Sequence, residues 1–131
     1  MKNSAIWSGA VILNQFAADS PKGLKKHAAR SLSRLLRIIS AEKDDLEASK
    51  TALVKQYAKV DDKGELVADE KGMIQFENAE GFNKEFNSLL EEETSIDIST
   101  LPKIKFVDLP DEGTSIAVIY ALEELGVLEE D

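Results

Sequence analysis

The sequence predicts an α+β fold in which a long central amphipathic helix packs with shorter helices and a small antiparallel β-hairpin or sheet. Three observations predict it. Between Gly23 and Gly64 there is neither glycine nor proline. Over that stretch Leu24, Ala28, Leu32, Leu35, Ile39, Leu46, Leu53 and Tyr57 recur at steps of three, four or their sums, which is one face of a helix. The elements then follow as helix, long helix, hairpin, helix, strand, strand, helix, an order with no regular βαβ alternation. At 131 residues the chain has the length of one domain, and 43% apolar with 31% charged residues is a globular composition.

Within a single domain spanning 1–131, a short first helix is expected in 1–20. Ile6, Ala10, Leu13 and Phe16 share a helical face that ends near Asp19. Ser20 followed by Pro21 reads as N-cap and first helical residue, so the long helix is placed at 21–59. Its apolar stripe weakens at Glu42 and Ser49, and a bend or break is expected near Ser40-Ala41. Asp61-Asp62-Lys63-Gly64 and Asp69-Glu70-Lys71-Gly72 are turn signals, with aspartate opening the turn and glycine supplying positive φ. They predict a hairpin in 60–78 with strands near 65–68 and 73–76.

Asn78 is the expected cap of a helix running to about Glu92, with Phe82, Phe86, Leu89 and Leu90 on its apolar side. Short strands are expected at 95–98 and 104–107. Asp111 or Thr114 is the expected cap of a final helix with Ile116, Ile119, Tyr120, Leu122 and Leu125 apolar, stopped by Gly126. Residues 129–131 form an acidic tail.

Charge is distributed unevenly. Residues 1–41 hold seven Lys/Arg against one acid, a charge of +6, while the remaining 90 residues hold nine against 24, a charge of −15, which together give the net −9. Such polarity favours self-complementary packing or a charged partner, and the acidic total disfavours indiscriminate nucleic-acid binding. With Lys22 at 0° and about 100° per residue, Lys26, Arg37, Arg30 and Arg34 fall at roughly 40° to 120°. Leu24, Ala28, Leu32, Leu35 and Ile39 fall at roughly 200° to 280°, so the two faces oppose each other. The basic set Lys22, Lys26, Arg30, Arg34 and Arg37 reads as a plain solvated surface, as a patch paired with acids of this or another subunit, or as an anion-binding face, and is the candidate partner- or anion-binding site. Leu32, Leu35, Ile39, Leu46, Leu53, Phe82, Phe86 and Leu89 form the candidate packing or oligomer face. Aromatic side chains do not interleave with the cations, which ranks nucleic acid and nucleotides below a protein partner.

Chemistry-bearing patterns are absent. Without cysteine there is no thiolate metal site or thiol nucleophile, and no phosphate loop, Gly-x-Ser-x-Gly or His-x-x-x-His occurs. His27, the one histidine, is expected to be a solvated helix residue among Lys25, Lys26 and Arg30. The acidic turns do not fit a calcium loop, because Lys63 stands where an oxygen ligand is needed and Gly64 comes two positions early. No enzyme activity, cofactor or metal is expected. The apolar run from Ala5 to Leu13 is too short to cross a bilayer and lacks the flanks of a signal peptide, so an intracellular, non-membrane protein is expected.

The Lys/Ala/Leu-rich stretch from Lys26 to Ile39, the ending Leu53-Val54-Lys55-Gln56-Tyr57, the Asp-x-x-Gly turns and Phe82-Asn83-Lys84-Glu85-Phe86 leading into Ile96-Asp97-Ile98 carry a resemblance. Across 24–98 the chain resembles a family of small proteins of unknown function encoded by tailed bacteriophages and prophages of Gram-positive bacteria. The resemblance implies a phage-type accessory protein in the host cytoplasm or on the virion. It would bind a virion, assembly or host-defence protein, or copies of itself as a homo-oligomer. The alternative is a module that binds phosphate-bearing ligands, nucleic acid or a signalling nucleotide, on the basic face.

Overall fold

A computed structural model describes residues 1–130. Its elements are α1 (Asn3–Ala18), α2 (Lys26–Tyr57), α3 (Ala79–Glu91), β1 (Ile104–Lys105), α4 (Ile116–Glu124) and β2 (Leu128–Glu129), with single 3₁₀ turns at Ile98–Thr100 and Phe106–Asp108. The fold is α+β, with the long helix at its centre as the apolar spacing predicts.

The long helix begins later than Ser20-Pro21 suggests. Ser20 adopts left-handed φ of 49°, and its N–H donates to the Ala17 carbonyl at 3.1 Å. It therefore closes α1 and does not open α2. Gly23 at φ +87° keeps the following residues out of a helix, and α2 starts only after Lys25, which offers no side-chain cap. From Lys26 the helix runs 32 residues without interruption, a length of roughly 48 Å. The expected break at Ser40-Ala41 does not occur. Ser40 Oγ is engaged from outside, accepting from Asn14 Nδ2 at 3.0 Å.

Residues 58–76 replace the expected two-stranded hairpin with antiparallel bridges Ala58↔Phe76, Val60↔Leu66 and Ala68↔Ile74. The two turns are copies of each other. Asp61 Oδ1 accepts from the amides of Lys63 and Glu65, and Asp69 Oδ1 from those of Lys71 and Met73. Lys59 N–H donates to Gln75 O, Gln75 N–H to Val67 O and Val67 N–H to Lys59 O, closing a ring of three bonds among these residues. No continuous ladder can form around such a ring, which is why strands do not develop.

Asn78 caps α3 as expected, accepting from Gly81 N–H at 3.0 Å. The residues expected as a strand at 95–98 instead lead into a 3₁₀ turn capped by Asp97. The expected 104–107 strand is shortened to β1. That strand pairs with β2 in parallel, Ile104 opposite Leu128 and Lys105 opposite Glu129, so the small sheet is parallel and not antiparallel. Its two strands are joined through α4, the crossover a parallel pair requires. Glu129, expected in a tail, is thus a strand residue, while Asp131 lies outside the described residues. Ser115, and neither Asp111 nor Thr114, caps α4 by accepting from Val118 N–H at 3.3 Å.

The core lies between α1, the first half of α2, α4 and β1/β2, with Ile6, Leu13, Leu35, Ile39, Leu122, Leu125 and Val127 fully buried. The expected apolar side of α4 is rotated: Val118, Ala121, Leu122 and Leu125 face inward, while Ile116 and Tyr120 face outward. The second half of α2 packs on α3; Leu46 and Phe82 on these helices are buried, and Leu53, Phe86 and Leu89 half-buried. Phe76, Phe82 and Phe86 stack in series, and Trp7 meets Phe86 edge-on at 5.8 Å.

Candidate partner-binding site

A cleft of about 660 Å³ lies between the second half of α1, the linker and the first half of α2. Asn14 and Ala17 form one wall, Ser20, Pro21 and Leu24 the end, and Ala29, Leu32, Ser33, Leu36, Arg37 and Ser40 the other wall. The linker is held against the loop after Phe106–Asp108: a Cβ on Gly23 would lie 3.6 Å from Pro110. Lys25 N–H also reaches the Asp108 carbonyl at 3.5 Å. His27 Nε2 hydrogen-bonds Asp108 Oδ2 at 2.5 Å, fastening the start of α2 to the same loop.

Four of the five candidate cations flank this cleft. At about 100° per residue, the α2 residues lining it occupy a sector that ends at Arg37, and Lys26, Arg30 and Arg34 lie within roughly the next 60° on either side of that residue. All are exposed. Lys22 stands in the linker and not on the helix, so its expected helical register does not apply. Among the described residues none of the five makes an ion pair within 4 Å; the pairs formed are Met1–Glu93, Lys2–Glu91, His27–Asp108 and Lys43–Glu47. Other cations are engaged: Lys43 lies 5.0 Å from the Trp7 ring and Lys50 5.2 Å from Phe86, both at cation–π distance.

Among the described residues Arg37 is the only charged side chain lining the cleft.

Four of the acids have local structural roles. Asp61 and Asp69 build their turns. Glu91 and Glu93 clasp the start of α1, where hydrogen bonding to Glu91 holds the Lys2 ammonium above its usual range. The terminal amine, 2.6 Å away, holds the Glu93 carboxyl below its own. Among the described residues no three histidine or carboxylate side chains converge as a metal site requires, and no helix is long and apolar enough to cross a membrane.

Three features escaped the sequence. The pairing of His27 with Asp108 spans 81 residues, and no local pattern announces it. The Asn14–Ser40 bond depends on how α1 crosses α2. Ile116 and Tyr120, read as core, are surface. No protein-family model, no curated protein and no solved structure matches this chain.

Proposed function

We propose that this chain is a non-catalytic interaction protein whose α1/α2 cleft receives an amphipathic, acid-bearing segment of a protein partner. One observation carries the reading. In a chain of net charge −9, four exposed cations that form no ion pair among the described residues line up beside a largely apolar cleft. Apolar contact supplies affinity there, and the unpaired cations supply steering and discrimination against basic partners. The resemblance to phage-encoded accessory proteins favours a virion, assembly or host-defence protein as that partner, and the charge polarity of the chain suits a further copy of itself. The basic face also suits phosphate-bearing ligands, but a cleft with an apolar floor adds nothing to phosphate recognition, which ranks that reading second.

The test is a photo-crosslinking residue at Ser33, inside the cleft, in cells producing the full chain. A discrete protein adduct that disappears in the Arg30→Glu/Arg34→Glu variant supports the reading. Absence of any protein adduct, together with salt-dependent binding to an oligonucleotide or nucleotide panel, favours the phosphate-ligand alternative and overturns it.

A further inference from the structure

Helix α1 carries no charged residue from Asn3 to Ala18, in a chain in which 31% of residues are charged. Its outward face presents Ser8, Val11, Gln15 and Ala18, with Val11 51% exposed. Exposed helix faces ordinarily carry charge, whereas the centres of protein interfaces are depleted of it. Helix α1 is packed by α2 on one side and α4 on the other. Beyond its outer face lie the basic-flanked cleft towards α2 and a second groove of about 450 Å³ towards α4, which Val11 and Ala117 share.

The α4 side has the opposite character. Ile116, 87% exposed, and Tyr120, 63% exposed, stand one turn apart as an apolar ridge. Asp111 and Glu112 precede this ridge and Glu123 and Glu124 follow it, all four exposed and none in an ion pair among the described residues. One side of α1 thus offers an apolar cleft with free cations, and the other an apolar ridge with free acids. A surface holding both halves of a complementary pair is matched by a rotated copy of itself.

We infer that the cleft's partner is a second copy of this chain, related by a two-fold axis at the outer face of α1. Each copy's Ile116/Tyr120 ridge then seats in the other's α1/α2 cleft. This inference rests on the cleft being a protein-docking site and names its occupant. Because the contact is isologous, it is made twice and closes at a dimer without propagating into a filament. Val11 meets its own counterpart at the axis, where an uncharged helix is needed because any charge there would face itself.

Sedimentation equilibrium of the full chain is expected to give a dimer that weakens as salt rises. Ile116→Asp places a carboxylate where the ridge is buried and raises the dissociation constant roughly tenfold to a hundredfold or more. Arg30→Glu/Arg34→Glu and Glu123→Lys/Glu124→Lys are each expected to be folded monomers by circular dichroism. Mixed together they form a heterodimer, because every reversed charge then meets its opposite. That rescue cannot arise from misfolding. A wild-type chain that remains monomeric at submillimolar concentration overturns the inference, as does a dimer indifferent to all three variants. A monomer that still yields a cleft adduct with another protein overturns only the second-copy occupant and leaves the docking role standing. A monomer with no protein adduct removes both.

Discussion

His27 Nε2 lies 2.5 Å from Asp108 Oδ2, joining an exposed side chain on the first turn of the long helix to a carboxylate only 9% exposed, 81 residues away. The bond matters because α2 lacks a capping side chain at its start and depends on this loop for its anchorage. His27→Ala removes the partner of a buried carboxylate, and the expected cost is on the order of 1 kcal/mol, the exposed imidazole keeping it at the low end. Urea denaturation of the variant measures it. Asp108→Ala also withdraws the buried acceptor, and its loss should not add to that of His27→Ala: the double variant is expected to be little less stable than either single one.

Gly81 sits in the first turn of α3, where an added Cβ would lie 2.7 Å from the Tyr57 ring and 2.6 Å from Asn78 Nδ2. Alanine ordinarily stabilises a helix by about 1 kcal/mol over glycine. Here Gly81→Ala is expected to destabilise by roughly 1 to 2 kcal/mol, because the Tyr57 ring is rigid and the displaced Asn78 is the helix cap. Thermal unfolding decides the sign, and a raised melting temperature would refute the close approach of α2 and α3.

Where the sequence was legible, the determining contacts were local, and where it misled, they were distant. Apolar spacing placed the long helix, and Asn78 and Gly126 placed helix ends, because capping and stripe burial act within a few residues. Ser20-Pro21 failed as a helix start because a local signal cannot say whether Ser20 ends one helix or begins the next. Gly23 and the Lys25–Asp108 contact settle it. The parallel pairing of Ile104 with Leu128 was hidden for the same reason, since two-residue strands carry no periodicity. At the candidate site the cations were legible from the helical wheel. The cleft they flank was not, because half of it comes from Asn14, Ala17 and the linker.

The turns opened by Asp61 and Asp69 have the same hydrogen-bond geometry and should respond alike. In each, one carboxylate oxygen accepts two amides at 2.9 to 3.0 Å, and a glycine follows at φ +77° or +80°. Asp61→Ala and Asp69→Ala are each expected to release their two amides to fast hydrogen exchange while α1, α2 and α4 keep their protection. Asp→Asn at either position retains the acceptor and should leave exchange near wild type. Gly64→Val or Gly72→Val should open the corresponding turn, since a β-branched residue is strained at positive φ.

Asp97 is the remaining carboxyl with a defined shift, held below the ordinary aspartate range first by the Ser99 hydroxyl at 2.6 Å and then by the Ser99 amide at 3.1 Å. Both donors favour the ionised form. Because the folded-state value is depressed, the stabilisation is fully present above the unfolded aspartate value of about 3.9 and is lost as pH falls through the lower folded value. Ser99→Ala removes the larger donor and is expected to move the Asp97 titration upward, towards the ordinary range, when followed by carbon-detected NMR. The stability difference between wild type and Ser99→Ala should be constant near neutrality and shrink below pH of about 4 as the carboxylate protonates in both. A difference that instead grew on acidification would mean that Ser99 acts through packing of the Ile98–Thr100 turn and not through the charge on Asp97.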